Sequence, residues 1–176
     1  MQKEKALVLV ISDRCAAGTE TDVSGPILRR GLEESGWQVG SPVIVPDEVP
    51  LVQRAMEEAL RDGVSLVVTS GSTGVSTRDI APEATTPLID QRLTGLETLF
   101  LIESLKQTPY AAFSRGLAGI HHGDIKSLLI NIPGSPKAAS LFLDVVPPLL
   151  PHFYGTLGRA QEDPTEGGGY REHPTS

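Results

Sequence analysis

The sequence has few residues of several types, and each shortage excludes a class of protein. A single cysteine, Cys15, cannot form an internal disulfide or a thiolate cluster for zinc. Aromatic residues are only 5% of the chain, so Val, Leu, Ile and Ala must build most of the core. No apolar run approaches the roughly 18 to 20 residues of a membrane helix. The apolar run 6–12 meets Asp13 and Arg14 without a signal-peptide cleavage site. We therefore expect a soluble cytoplasmic protein with no membrane contact.

Basic residues are also in the minority. Lys and Arg number 15 against 22 Asp and Glu, which gives a formal net charge of -7. Such a surface repels a polyphosphate backbone, so we expect no nucleic-acid partner. A small anionic ligand is still compatible with this charge, because backbone N–H groups at helix starts and a bound cation can hold it.

The order of apolar segments predicts an α/β domain. Continuous apolar runs at 6–12 and 65–70 are typical of strands covered on both faces, and helical patterns at 24–35 and 51–61 surround a second predicted strand at 38–45. This alternation indicates a three-layer, mostly parallel, doubly wound sheet with helices on both faces.

The second half of the chain continues the same pattern. Length alone fits one domain, which we assign to residues 1–158, and the polar, Gly- and Pro-rich segment 159–176 is predicted to be a disordered tail. Between these limits we predict helices over 82–91, 96–106 and 136–146, the last broken by Pro147 and Pro148, and a hairpin of strands 117–120 and 126–132 around the turn 121–124.

Polar loops follow the predicted strands. In open α/β sheets, ligands bind outside the carboxyl ends of the strands. The loop 71–78 has small residues there that let a ligand approach the backbone, although it matches neither the Walker nor the dinucleotide motif, and an ordinary turn is the alternative. The residues on this rim are Ser12, Asp13, Arg14, Pro46, Asp47, Glu48, Gly71, Ser72, Thr73, Gly74, Arg78, Asp79, Asn131, Ile132, Pro133, Gly134, Ser135, Pro136 and Lys137.

Two of these residues, Asp47 and Asp79, form a candidate magnesium site. Each lies just past a strand, and a pair of carboxylates can hold Mg²⁺ while the ion keeps waters and phosphate oxygens. The alternative is that Asp47 caps the helix at 51–61 and that Asp79 caps the helix beginning near Pro82. Asp13 and Asp22 have an alternative role in holding loop geometry.

Four further side chains have ordinary explanations. Ser70 lacks the Gly-x-Ser-x-Gly elbow of a hydrolase nucleophile. His121 and His122 are expected at a solvated turn rather than at a metal. Lys137, at the start of its helix, can contact an anion or remain solvated.

Five segments together resemble the molybdopterin-binding family of molybdenum-cofactor biosynthesis. They are LVISDR at 9–14, DVSGPIL at 22–28, VPDE at 45–48, TSGSTGVSTRDIAPEAT at 69–85 and NIPGSPKA at 131–138. The resemblance implies a three-layer α/β domain that assembles as a homotrimer, or in some members a hexamer. It implies a Mg²⁺-dependent adenylyltransferase that joins ATP to molybdopterin and releases pyrophosphate, with molybdopterin molybdenumtransferase as a partner.

The resemblance also assigns site residues by motif position. Asp47 and Asp79 match the family's essential carboxylates and would hold the metal. The substrate- and nucleotide-binding positions that it implies are Ser12, Asp13, Asp22, Ser24, Gly25, Ser70, Gly71, Ser72, Thr73, Gly74, Arg78, Glu83, Asn131, Pro133, Gly134, Ser135 and Lys137.

Three positions depart from the family pattern. Ser72 replaces a loop glycine, Thr98 ends the segment 95–98 (GLET) where Gly-Phe-Gly-Glu is usual, and Leu101 replaces an arginine. These changes leave open a pterin-binding paralogue without catalysis, although the intact Arg78-Asp79 and the intact segment 82–85 favour the enzyme. Two further alternatives are a trimeric scaffold that passes molybdopterin between partners and a nucleotide hydrolase of the competence-damage type, which shares the fold. Either molybdenum or tungsten is compatible as the final metal.

Overall fold

Seven strands form one mixed sheet in the computed structural model, which describes residues 4–159. The tail predicted for 159–176 lies outside the described residues, except that Arg159 ends a helix. The strands are β1 (Lys5–Ile11), β2 (Gln38–Val39), β3 (Val43–Val45), β4 (Leu66–Ser70), β5 (Gln91–Arg92), β6 (Ala118–His122) and β7 (Lys126–Ile132).

The sheet is parallel at its centre and antiparallel at one edge. Its order is β2-β1-β4-β7-β6-β5, with β3 also paired to β1 beyond β2. The strands β2, β3 and β4 all run parallel to β1, and β7 runs parallel to β4. The strand β6 is antiparallel to β7, and β5 is antiparallel to β6, as the predicted hairpin requires.

Helices cover both faces, because successive side chains of a strand point to opposite sides. On β4, Leu66 and Val68 face a core that contains Leu28 and Phe142, whereas Val67 faces a second core that contains Met56. The three-layer prediction is therefore confirmed. The helices are α1 (Asp13–Ala16), α2 (Ser24–Glu34), α3 (Val49–Arg61), α4 (Ala81–Thr85), α5 (Thr94–Gln107), α6 (Pro136–Val145) and α7 (Leu150–Arg159).

Several element boundaries differ from the sequence prediction. The strand expected over 38–45 is interrupted, because Pro42 has no N–H for a ladder hydrogen bond. The helix expected over 82–91 ends at Thr85, and after a 3-10 turn the chain enters β5. The helix α7 was not predicted. It is anchored by Tyr154, whose hydroxyl donates to the Ser65 carbonyl at 2.6 Å.

The two histidines lie on β6 rather than at the turn, so the expected position was wrong. The hairpin turn is formed by residues 123–125 instead. His121 is half-buried, and its Nδ1 lies 2.9 Å from the Leu88 carbonyl oxygen, where an N–H can donate. His122 is exposed, as expected of a solvated side chain. Within residues 4–159, no helix has the length and apolar character needed to cross a membrane.

Candidate functional site

The carboxyl ends of the parallel strands meet at one edge of the sheet, and backbone hydrogen bonds hold the loops that leave them. The Ser12 N–H donates to the Val45 carbonyl at 2.9 Å, and the Gly71 N–H donates to the Ile132 carbonyl at 3.0 Å. A cavity of about 1060 Å³ opens at this edge. The strand order thus creates the ligand cleft that doubly wound sheets have at this position.

Most of the predicted site residues line this cavity. It contains both proposed metal ligands and most of the proposed binding residues from all four loops. Gly25, Glu83 and Asn131 are not among the lining residues. The predicted residues that line the cavity are Ser12, Asp13, Asp22, Ser24, Asp47, Ser70, Gly71, Ser72, Thr73, Gly74, Arg78, Asp79, Pro133, Gly134, Ser135 and Lys137.

Asp13, Asp47 and Arg78 form a hydrogen-bonded chain across three loops. The Asp13 N–H donates to Asp47 Oδ2 at 2.8 Å, and the Asp47 N–H donates to Asp13 Oδ1 at 3.0 Å. Arg78 donates to Asp13 Oδ2 from Nη2 at 2.6 Å and from Nε at 3.0 Å. The Arg78 hydrogen bond, followed by the Asp47 N–H, lowers the pKa of Asp13 below its usual value. Asp13 therefore holds loop geometry, the alternative role considered for it.

Asp47 does not cap the helix that follows it. The cap of α3 is Glu48, which makes no side-chain capping bond, and Asp47 contacts the start of α1 instead. Asp79 likewise does not cap α4, since its Oδ2 accepts from the Ser76 N–H at 2.8 Å. The capping alternative was therefore wrong for both residues.

Asp47 and Asp79 each offer a carboxylate oxygen of the kind that Mg²⁺ prefers. Within the described residues, Oδ1 of each aspartate accepts no hydrogen bond, and both side chains line the same cavity. No group of three or more His, Cys, Asp or Glu side chains within residues 4–159 is placed to hold a metal. Two carboxylates with substrate phosphates are, however, the usual protein ligands of Mg²⁺.

Two glycines make the floor of the cavity. Gly71 has φ +107°, and a Cβ there would lie 2.3 Å from the Ile11 carbonyl oxygen. A Cβ on Gly134 would lie 2.9 Å from the Gly71 Cα. The loops after β4 and β7, which we call the cradle, approach so closely that neither position accommodates a side chain. Gly74 serves a related purpose, since a Cβ there would lie 2.9 Å from Asp79 Oδ2.

Ser72 has the left-handed backbone that glycine would adopt without strain. Its φ is +59°, and its side chain compensates by accepting from the Ile80 N–H at 2.8 Å. Its carbonyl also accepts from the Ala81 N–H at 3.0 Å. The departure from glycine therefore fixes the start of α4 to the cradle.

We expect the two simplest replacements of Ser72 to differ in stability. Both Ser72→Ala and Ser72→Gly lose the acceptor for the Ile80 N–H, which costs about 1 kcal/mol. Only glycine relieves the left-handed strain, worth about 1 to 2 kcal/mol. Urea unfolding should show the glycine variant more stable than the alanine variant by about 1 kcal/mol. Equal stability of the two variants would show that Ser72 is not strained.

Three of the serines that line the cavity, Ser12, Ser70 and Ser135, have different roles. Ser12 Oγ accepts from the Cys15 N–H at 3.2 Å and caps α1, and Ser135 Oγ accepts from the Ala138 N–H at 3.1 Å and caps α6. Ser70 is 1% exposed, and its Oγ has no partner among the described residues. A buried hydroxyl without a partner is costly unless a ligand or water pairs with it. Ser70 is thus available to a ligand.

Three predicted binding residues have other neighbours. The Gly25 N–H donates to Asp22 Oδ1 at 3.0 Å, so the pair holds the start of α2. Asn131 is buried, and its amide donates to Thr69 Oγ1 at 2.8 Å. Glu83 accepts hydrogen bonds from Arg115, which hold the pKa of its carboxyl below the usual value.

Arg115 and the wall of the cavity next to it were not predicted from the sequence. Tyr110, Phe113 and Ser114 also line the cavity, and Arg115 follows them. Because β6 is antiparallel to β7, its first residue, Ala118, pairs with Ile130 near the end of β7. Residues just before β6 therefore lie at the ligand edge, a position that the predicted hairpin already implied.

Comparisons with known proteins identify relatives of this chain. The family described as "Probable molybdopterin binding domain" matches residues 7–152. A molybdopterin adenylyltransferase of Helicobacter pylori is 38% identical over 151 residues, which are 82% of this chain and 82% of that protein. A molybdopterin adenylyltransferase of Pyrococcus furiosus is 36% identical over 141 residues, 79% of this chain and 82% of that protein.

Solved structures agree with the fold. A molybdopterin biosynthesis protein from Mycobacterium abscessus superposes with a TM-score of 0.82 at 36% identity, covering 90% of this chain and 98% of that one. The tungsten cofactor synthesizing protein MoaB from Pyrococcus furiosus gives 0.79 at 31% identity, covering 92% and 99%. The predicted fold class is therefore confirmed.

Some relatives are much longer than the matching segment. The chain spans 25% of the molybdenum cofactor synthesis protein cinnamon of Drosophila melanogaster, to which it is 39% identical over 155 residues, 86% of this chain. It spans 48% of a molybdenum cofactor biosynthesis bifunctional protein of Chlorobaculum tepidum. In those proteins the domain is joined to further sequence.

Proposed function

Because the chain belongs to the molybdopterin-binding domain family, we propose that it acts in molybdenum cofactor biosynthesis by transferring an adenylyl group from ATP to molybdopterin. The names of relatives such as the Helicobacter pylori adenylyltransferase support this reaction. The observation that carries the proposal is that Asp47 and Asp79 line the same cavity, which has a volume of about 1060 Å³. This volume is at the upper end of the range of ordinary ligand pockets, about 300 to 1,000 Å³.

The reaction requires alignment more than acid-base chemistry. A phosphate oxygen of molybdopterin attacks the α-phosphorus of ATP, one P–O bond forms, and the bond to the bridging oxygen breaks as pyrophosphate leaves with its electron pair. The nucleophile is already an anion, so no side chain has to activate it. The enzyme must hold two anions together and neutralise their charge.

The cradle residues can hold these anions without a large positive surface. Ser70 offers a free buried hydroxyl, and the glycines at 71 and 134 expose the backbone. Lys137 is an exposed cation near the N-terminus of α6, whose dipole also favours anions. Arg78 can supply a second positive charge by exchanging its bonds to Asp13 for bonds to phosphate.

Magnesium dependence is part of the proposal. Asp47 and Asp79 would hold Mg²⁺, which neutralises charge on the triphosphate when bound. The donor chemistry supports this assignment, because each aspartate has an oxygen free of hydrogen bonds within the described residues.

The test is a product assay with purified protein. Molybdopterin and α-labelled ATP should give adenylyl-molybdopterin and pyrophosphate in equal amounts with Mg²⁺, and neither with excess EDTA. Tight pterin binding without turnover would reject the enzyme in favour of a pterin-binding paralogue or scaffold. Cleavage of nucleotides without any pterin would instead reveal a hydrolase of the competence-damage type.

We also propose the cellular setting that the resemblance implies: a cytoplasmic homotrimer, or a hexamer, that passes its product to a molybdopterin molybdenumtransferase. Exposed apolar side chains on α5, including Ile102 at 50% and Leu105 at 42%, support self-association. The bifunctional relative, in which the domain is joined to further sequence, supports a partner within molybdenum cofactor biosynthesis. Sedimentation velocity should give three or six times the monomer mass, and a monomer throughout the concentration range would reject this assembly.

A further inference from the structure

The Arg115 side chain donates several hydrogen bonds next to the site, although it does not line the cavity. Its Nε donates to the Gly74 carbonyl at 2.6 Å, and its Nη2 donates to the Asp79 carbonyl at 2.9 Å. Its backbone N–H donates to the Thr73 carbonyl at 2.7 Å. One residue therefore holds both ends of the segment 73–79, the proposed metal ligand included.

Glu83 fixes the guanidinium from the other side. Arg115 donates to Glu83 Oε1 from Nη1 and to Oε2 from Nη2. Glu83 belongs to α4, and Ser72 fixes the start of that helix to the cradle. The guanidinium thus joins α4 to the turn that carries Asp79.

We infer that Arg115 is a positioning residue for the proposed adenylyl transfer, and that its fork of N–H donors keeps Asp79 directed into the cavity. The inference rests on the proposed function, but its structural part can be tested separately. A planar guanidinium can serve several fixed acceptors at once, whereas the ammonium of lysine is a single point charge. Glu83, predicted as a binding residue, then acts through Arg115 rather than through substrate.

Three variants test this role. Arg115→Ala should lower kcat/KM by about 100-fold, because displacement of a metal ligand by about 1 Å has effects of that size. Arg115→Lys should fall between wild type and Arg115→Ala, and Glu83→Gln should have a smaller effect than either. Guanidinium added to Arg115→Ala should restore part of the activity. Arg92→Ala is the matched control, since Arg92 also pairs with a glutamate, Glu97, but among the described residues makes no hydrogen bond to segment 73–79.

Two readouts do not depend on turnover. Hydrogen exchange of the amides in 73–79 should accelerate about tenfold or more in Arg115→Ala, because the hydrogen bonds from a charged donor are lost. Exchange of the same amides should not accelerate in Arg92→Ala. Binding of Mn²⁺ with a non-hydrolysable ATP analogue, followed by electron paramagnetic resonance, should weaken about tenfold in the same variant.

The outcomes separate the two proposals. If wild-type protein adenylylates nothing but exchange and Mn²⁺ binding change as expected, the proposed function fails and the positioning role stands. If wild-type protein is active and Arg115→Ala matches it in exchange, Mn²⁺ affinity and kcat/KM, the positioning role is overturned. Should the alanine variant fail to fold, the same comparisons apply to Arg115→Lys and Glu83→Gln.

Discussion

Asp79→Asn should lower the rate of adenylyl transfer by about 100-fold or more, while molybdopterin binding remains largely intact. The substitution removes a charge that we propose to neutralise the metal-bound triphosphate, and loss of one such electrostatic group commonly has this effect. It preserves the loop, because the amide oxygen of asparagine can still accept the Ser76 N–H that Asp79 accepts at 2.8 Å. Steady-state kinetics with saturating ATP and Mg²⁺ measure the change.

A matched control separates loss of the metal ligand from loss of charge in general. Asp144→Asn removes the same charge from an exposed position on α6, outside the cavity lining, and should change the rate by less than about twofold. Turnover of Asp79→Asn at the control's rate would remove Asp79 from the chemistry. Equal loss in both variants would instead indicate a general electrostatic effect.

Among glycine-to-alanine substitutions in the cradle, Gly71→Ala should cause the largest loss in the free energy of unfolding. Gly71 has φ +107°, a backbone conformation that is strained for alanine. The new Cβ would also lie 2.3 Å from the Ile11 carbonyl oxygen. Because that oxygen belongs to the backbone of β1, the strands must separate to relieve the contact. We expect a loss of about 3 kcal/mol or more in the free energy of unfolding, with loss of ligand binding.

Gly36→Ala provides the comparison for this prediction. Gly36 has φ +95°, close to that of Gly71, but a Cβ there would have no heavy atom within 4 Å. This variant should lose only the backbone strain, about 1 to 2 kcal/mol, with ligand binding unchanged. Denaturant unfolding of both proteins measures the difference. Equal losses would show that the close approach of β1 to Gly71 has no energetic consequence.

The central strands could be predicted because buried parallel strands are continuously apolar. The apolar run 65–70 predicted β4. Because the neighbouring strands run parallel to it, the loops that follow these strands lie at one edge of the sheet. The helix α7 was missed because two prolines precede it and its anchoring depends on tertiary contacts. Tyr154 packs on Trp37 with ring centroids 5.8 Å apart, far from it in sequence.

The loops that form the site could be predicted from the sequence, but most of the side-chain contacts within the site could not. Asp47 was identified from its place after a strand, yet its partner Asp13 lies 34 positions away and no local pattern links the two. Arg115 lies in an irregular segment before an antiparallel strand. Only the strand order brings it next to Gly74 and Asp79.

The most direct test of the account is a crystal structure with Mn²⁺ and a non-hydrolysable ATP analogue, in which anomalous scattering locates the ion. We expect one ion bound by carboxylate oxygens of both Asp47 and Asp79 at about 2.1 Å, with phosphate oxygens completing its shell. An ion held by phosphate alone, or by only one of these aspartates, would contradict the proposed catalytic site.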